Sequence, residues 1–209
     1  MTNTLCLECV HISIMTGKLL GLRAISTNTL TNLFCQKMQR SKVPTICLKC
    51  YSWAMLNGFR KNNQPALQRN SDLLGSRALQ PGEVPNIVDR YFRFQAHGEL
   101  INQRHLKNLV LICERNPHCT FALWTKRKDI VQKVFSKVDL PANLVLVYSN
   151  PKVSTIMAKP PKGFHKTFNN VLEHEEKDRQ NCTGQKCLDC LLCYKFDTTD
   201  TIVEKAKKY

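Results

Sequence analysis

Short apolar runs alternate with amphipathic segments along the central part of the chain. Four compact runs have the length and the β-branched or aromatic content of strands, and the segments between them carry apolar residues at helical spacing. The strand-like runs are RYFRF (90–94), CTFALWT (119–125), ANLVLVYS (142–149) and FHKTFNNVL (164–172). This alternation indicates βαβ units. It predicts an α/β fold with a mostly parallel sheet, either as an open sheet or as a partial (β/α) barrel.

The two ends of the chain are less regular. Near the start, GLRAIS (21–26) predicts a first strand, followed by a loop that carries Cys35, Cys47 and Cys50. Two helices are predicted next, in CYSWAMLNGFRK and in PALQRNSDLLGSRAL. At the other end, a cysteine-rich segment precedes TTDTIVEKAKKY, which predicts a final helix. We therefore expect an α/β domain over residues 1–170 and a cysteine-rich metal-binding tail with that helix over residues 171–209.

Four polar loops would meet at one edge of such a sheet. In parallel α/β folds, the functional residues lie where the carboxyl ends of the strands converge. The expected contributors are the loop with Cys35, Cys47 and Cys50, and the segments 97–99, 125–128 and 148–150. The cysteine-rich tail is expected to fold back near this edge.

The charge of the chain indicates an anionic partner. Its 209 residues carry a formal net charge of +15, which favours DNA, RNA or a nucleotide substrate, although an ordinary basic surface would give the same number. No apolar run reaches the roughly eighteen residues that a membrane span needs. The first residues lack a basic leader with an apolar stretch. We expect a cytoplasmic protein.

Eleven cysteines are unevenly distributed along the chain. A reducing cytoplasm disfavours disulfides, so metal binding explains the clustering better than pairing does. Four of them form a C-x4-C-x2-C-x2-C run: Cys182, Cys187, Cys190 and Cys193. This spacing is typical of an iron–sulfur site, and zinc is the alternative because it uses the same ligands. Cys113 and Cys119 fall in apolar segments and are expected to be buried core residues.

The second set of thiols is Cys35, Cys47 and Cys50. Three cysteines after the first strand could hold a [4Fe–4S] cluster by three irons and leave the fourth open. This arrangement resembles the radical S-adenosylmethionine enzymes, although eleven residues separate Cys35 from Cys47, more than in that family's motif. The resemblance implies that Gly98 and Glu99 receive the amino group of the methionine. Alternatively, Cys47 and Cys50 pair with Cys6 and Cys9 in a zinc knuckle.

Several blocks of the chain together resemble a family typified by phage gene product 88. They include ICLKCYSWAM, FRFQAHGELIN, NPHCTFALWTKRKDIV, NLVLVYSNP and CTGQKCLDCLLCY, in that order. The resemblance implies a cysteine-bound metal centre and an origin in a phage, plasmid or other mobile element, which would place the protein in the host cell cytoplasm. From the cysteine spacing we expect one or two [4Fe–4S] clusters.

Three functional hypotheses follow from these features. In the first, the chain is an iron–sulfur enzyme of radical S-adenosylmethionine type, with Glu99 in the active site and Lys126, Arg127 and Lys128 steering a nucleic acid or nucleotide to it. In the second, it is a non-enzymatic, cluster-bearing protein that binds nucleic acid through its basic surface. In the third, every cysteine site holds zinc and the protein is a structural adaptor.

Overall fold

The computed structural model describes residues 10–172 and 175–206. These residues form one seven-stranded sheet whose strands lie in the order of the chain. The strands are β1 (Ser13–Ile14), β2 (Arg23–Ile25), β3 (Tyr91–Phe94), β4 (Thr120–Thr125), β5 (Leu144–Val153), β6 (Lys166–Val171) and β7 (Thr201–Lys205). The helices are α1 (Leu33–Gln39), α2 (Tyr51–Asn57), α3 (Gln64–Ser76), α4 (Gln103–Arg115), α5 (Lys128–Phe135) and the single turn α6 (Cys187–Cys190). Short 3-10 turns lie at Gly17–Leu19, Ile46–Lys49, Lys61–Asn63 and Lys177–Arg179.

The sheet is open rather than closed into a barrel. β1 runs antiparallel to β2, and every later neighbouring pair, from β2–β3 to β6–β7, is parallel. The two edge strands β1 and β7 do not pair with each other. Of the two architectures that the sequence allowed, the open, mostly parallel sheet is therefore the one observed.

The sequential strand order places the long helices on one face of the sheet. Right-handed crossovers between neighbouring parallel strands return each helix to the same side. Side chains of α3, α4 and α5 pack there against alternate strand residues, including Phe92, Phe94 and Phe121. The rings of Phe94 and Phe121 stack with centroids 4.9 Å apart. This face is the main hydrophobic core.

The opposite face, which we call the inner face, is covered by irregular chain. Its strand residues include Ala24 and Ala122 beside Val145 and Val147, together with aromatic side chains such as Trp124. Leu191, Tyr194 and other residues of the cysteine-rich tail pack on it, together with residues near the start of the described chain. Trp124 also lines a cavity on this face.

Two predicted elements are corrected by the structure. The predicted final helix is the strand β7, whose Ile202 and Val203 are buried beside β6. The predicted loop around Cys35 is in fact the helix α1, because the side chain of Asn32 accepts hydrogen bonds from the amides of Phe34 and Cys35 and so caps its first turn. The other predicted strands and helices are confirmed, apart from their exact ends.

No helix in the described part of the chain is long and apolar enough to cross a membrane. Cys6 and Cys9, which the zinc-knuckle alternative requires, lie outside the described residues. Cys113 and Cys119 are buried in the main core, as the sequence predicts.

Candidate metal centre

A cavity of about 370 Å³ opens at the carboxyl ends of the parallel strands, above the inner face. Its wall brings together residues that are far apart in the sequence and that come from both cysteine-rich regions. They include Cys35, Cys47, Cys50, Cys182, Cys187, Cys193, Gly98, Glu99 and Lys126. Ser149, which follows the apolar run of β5, also lines it. The loops predicted to share one edge of the sheet do share it.

The first set of thiols comes from three consecutive short elements. Cys35 lies in α1, Cys47 in the turn Ile46–Lys49, and Cys50 immediately before α2. Burial raises the pKa of Cys35 and that of Cys47 above their ordinary values, and nearby Glu99 raises both further. A thiol held in this way is protonated until a cation or metal stabilises its thiolate.

Hydrogen bonds tie α2 to the turn that follows β3. The Tyr51 hydroxyl donates to the carbonyl oxygen of Ala96, and the hydroxyl of Ser52 lies 2.7 Å from Nδ1 of His97. Ser52 also shares a short hydrogen bond with Thr29. Burial lowers the pKa of His97 to about 4, so its ring is neutral in this network at physiological pH. The network fixes the helix that follows Cys50 relative to the sheet.

Gly98 allows two loops to approach more closely than any side chain would permit. Its φ is +78°, in the left-handed region that favours glycine. A Cβ atom placed there would lie 2.2 Å from Oγ1 of Thr27 and 2.5 Å from its carbonyl oxygen. The amide of Gly98 donates to Oγ1 of Thr29, at 2.8 Å. This glycine therefore has a steric role, because it sets the position of the residue that follows it.

The carboxylate of Glu99 is buried and joins the ends of β3 and β4. Oε1 accepts hydrogen bonds from the amide of Leu100 (2.8 Å) and from the hydroxyl of Thr125. Oε2 accepts one from the amide of Lys126, at 2.8 Å. A carboxylate has about four acceptor positions, so three are used and one, on Oε2, remains for a ligand.

The three basic residues after β4 are placed differently from one another. Lys126 extends into the cavity, where its Nζ donates to Oγ of Ser149, at 3.1 Å. Burial alone would lower its pKa, but Cys47, Glu99, Cys50 and Cys35 together raise it. Its ammonium therefore stays charged among the first thiols.

Arg127 and Lys128 face away from that position. The guanidinium of Arg127 pairs with Asp129, donates to the carbonyl oxygen of Leu100, and lies over the ring of Phe34. Lys128 is exposed at the start of α5. The structure thus does not bring Lys126, Arg127 and Lys128 together on one open surface.

The second set of thiols also lines the cavity. Cys182 forms an isolated parallel β-bridge with Glu204 of β7, Cys187 begins α6, and Cys193 lies three residues after the end of that helix. Burial raises the pKa of all three. Cys190 does not line this cavity, but all four thiols of the set line a small adjoining pocket: Cys182, Cys187, Cys190 and Cys193. Three of the four predicted ligands in the tail therefore face the main cavity.

Two cations accompany this second set. Nζ of Lys18 pairs with Glu204 and lies 3.6 Å from Sγ of Cys182. The guanidinium of Arg93 lies 4.0 Å from the centre of the Trp124 ring and electrostatically favours the thiolate forms of Cys187 and Cys193. No described residue accepts a hydrogen bond from its buried Nε. The sequence analysis missed Arg93, although a charged residue inside the aromatic run RYFRF was a visible signal.

The cavity lining is rich in thiols. Among the described residues, no three His, Cys, Asp or Glu side chains converge as the ligands of a single metal ion would. The thiols instead stand around the cavity with Lys126 near one set and Arg93 near the other. In an iron–sulfur cluster each thiolate binds a different iron, so its ligands surround a larger centre. Thiols are the donors that both iron–sulfur clusters and zinc use.

The chain is similar to a known protein family. The protein family described as Gene product 88 matches residues 15–205. That range contains both cysteine sets and the pair Gly98–Glu99, but not Cys6 or Cys9. No curated protein and no solved structure matches the chain.

Proposed function

This chain belongs to the gene product 88 family, and from that premise we propose that it is an iron–sulfur enzyme of radical S-adenosylmethionine type. One observation carries the proposal: Cys35, Cys47 and Cys50 line the same cavity as Cys182, Cys187 and Cys193. The rest of the cavity would be left for a small molecule. The reducing cytoplasm of a host cell would keep these thiols free.

In the proposed centre, each set of cysteines would hold its own cluster. Cys35, Cys47 and Cys50 would hold a [4Fe–4S] cluster by three irons, and Cys182, Cys187, Cys190 and Cys193 would hold a second one. When bound, the first cluster would supply one-electron reduction of S-adenosylmethionine. Zinc at the same thiols is the alternative occupant, and it would leave the cavity without redox chemistry.

The residues of the chain itself would orient the ligand and balance charge. The remaining acceptor position of Glu99 suits an ammonium group, because the other three are already held by donors from the ends of β3 and β4. The ammonium of Lys126 would stabilise the thiolates of the first set. Metal binding requires deprotonated thiols, so a fixed cation beside each set favours loading.

Electron paramagnetic resonance of the reduced protein, purified without oxygen, tests this function. We expect the spectrum of the wild type to change when S-adenosylmethionine is added. In Glu99→Gln we expect the same iron content and a much weaker change, because the neutral amide holds an ammonium poorly. If the wild type contains iron but its spectrum does not change when S-adenosylmethionine is added, the proposal is refuted. The protein would then carry a cluster without reducing S-adenosylmethionine.

A further inference from the structure

A long part of the chain is free of acidic residues. Between residues 10 and 71 there is no Asp or Glu, and there are nine Lys and Arg residues. Half of this stretch forms the segment that carries the first thiols, from α1 to the turn Lys61–Asn63. We call residues 33–61 the basic lobe.

The cations of the basic lobe face solvent. Five of them are exposed: Lys37, Arg40, Lys42, Lys49 and Lys61. None of the five forms an ion pair with a described residue. Unpaired, exposed cations at this density repel one another unless a polyanion covers them. The charge of the lobe is therefore complementary to a phosphate backbone.

Exposed apolar side chains are interspersed with these cations. Leu33 is 80% exposed, Phe59 is 78% exposed, and Val43 is exposed as well. Lysines and arginines with an aromatic side chain among them are typical of surfaces that hold both the phosphates and the bases of an unpaired strand.

The lobe also borders the cavity. Lys49 and Arg60 belong to its lining, as do the aromatic side chains of Phe34, Tyr51 and Trp53. A volume of about 370 Å³ lies in the range of small-ligand pockets. It can admit one nucleotide but not a duplex. A strand lying on the lobe would therefore bring one of its nucleotides to the mouth of the cavity.

We propose that the basic lobe binds a single-stranded nucleic acid and presents one of its nucleotides to the cavity. The ligand is recognised by its phosphodiester backbone, which DNA and RNA share. This places the binding surface on residues 33–61 and not on Lys126, Arg127 and Lys128. The charge of the lobe does not depend on a bound metal, so the proposal stands apart from the metal centre.

Fluorescence anisotropy with labelled oligonucleotides of about 20 nucleotides, longer than typical site sizes, tests the proposal over a range of salt concentrations. The probes are a single-stranded DNA, a single-stranded RNA of the same sequence, and the DNA duplex. The test variant combines Arg40→Glu, Lys42→Glu and Lys61→Glu, none of which lines the cavity. The matched control combines Arg104→Glu, Lys107→Glu and Arg115→Glu. These are three exposed positions on α4, which packs on the sheet face opposite the inner face. Both variants change the net charge equally.

We expect wild type and control to bind a single strand alike. In the lobe variant the affinity should fall about tenfold or more. The slope of the logarithm of the binding constant against the logarithm of the salt concentration should become shallower by about 2, because three phosphate contacts are lost. The single-stranded probe that binds more tightly shows whether the lobe prefers DNA or RNA. Circular dichroism would show whether the charge reversal disturbs folding. In that case Arg40→Ala with Lys42→Ala tests two of the three positions without introducing new negative charges.

Several results would overturn the proposal. They are an absence of binding by the wild type, an equal loss in the control, tighter binding of the duplex, and equal competition by polyglutamate or by anionic lipid vesicles at the same charge concentration. Iron analysis of the same samples separates the two accounts: a protein without iron that still binds through the lobe contradicts only the metal centre.

Discussion

The carboxylate of Glu99 accepts a hydrogen bond from the backbone amide of Lys126 (2.8 Å), so the turn after β3 is tied to the turn after β4. The same carboxylate is held by the amide of Leu100 and the hydroxyl of Thr125. Glu99 is therefore a structural link as well as a candidate ligand. Its replacement has consequences that can be measured without any cofactor.

Glu99→Ala should lower the free energy of unfolding by on the order of 3 kcal/mol, because it leaves buried donors without an acceptor. Glu99→Gln should cost roughly half as much, since its amide oxygen replaces only one of the two acceptors. Urea denaturation of the two variants checks this order. An alanine variant as stable as the wild type would show that the link contributes nothing.

Gly98→Ala should disrupt the site through a direct clash, because its Cβ would lie 2.2 Å from Oγ1 of Thr27. Gly163→Ala is the matched control: its φ of +89° imposes comparable backbone strain, but nothing lies within 4 Å of the added Cβ. We expect a loss of about 1 kcal/mol for the control and a clearly larger one for Gly98→Ala. Thermal unfolding measures both, and equal losses would contradict the steric role.

The cysteine-rich tail is anchored by a buried lysine. Nζ of Lys166, whose side chain is 1% exposed, lies 2.5 Å from Oδ1 of Asp197 and donates to the carbonyl oxygen of Thr199. Asp197→Ala should cost about 2 kcal/mol, because it leaves this ammonium buried without a counter-charge. The double variant with Lys166→Met should be more stable than Asp197→Ala alone. Denaturant unfolding measures the stability of the two single variants and the double variant. A double variant that loses as much stability as the two single variants together would show that Asp197 is not the counter-charge of Lys166.

Two buried histidines make the fold sensitive to acid. Burial lowers the pKa of His97 to about 4 and that of His105 to about 3, against about 6.5 when unfolded. The unfolded chain therefore binds more protons, so stability is full above about pH 6.5 and falls as the pH drops toward 4.

At pH 5 each histidine should cost on the order of 2 kcal/mol relative to pH 7. His105→Gln should weaken this acid sensitivity when the urea midpoint is compared at the two pH values. An unchanged difference in that variant would show that His105 is not the titrating group.

The regular centre of the fold was predictable because each element carries its own signal. Leu106, Leu109 and Ile112 mark the buried side of α4, and the continuous apolar run of β5 marks a strand buried on both faces. The final strand was not predictable in the same way. In β7, Ile202 and Val203 favour a strand, but Glu, Lys and Ala nearby favour a helix, and only pairing with β6 decides the matter.

The site was predictable from spacing and topology, and its details were not. Strand order alone brings Cys35, Glu99 and Lys126 to one edge of a parallel sheet. That Arg127 turns away to pair with Asp129, or that Arg93 points into the cavity, depends on side-chain packing that the sequence does not encode locally.

The proposed centre consists of two iron–sulfur clusters, held by two sets of cysteines around one cavity. Its most direct test is the content of iron, acid-labile sulfide and zinc in protein purified without oxygen, for the wild type and for two triple variants. One variant replaces Cys35, Cys47 and Cys50 by serine, and the other replaces Cys182, Cys187 and Cys193. We predict about eight irons and eight sulfides per chain in the wild type and about four in each variant. Zinc without iron in the wild type, or full iron retention in both variants, would contradict the account.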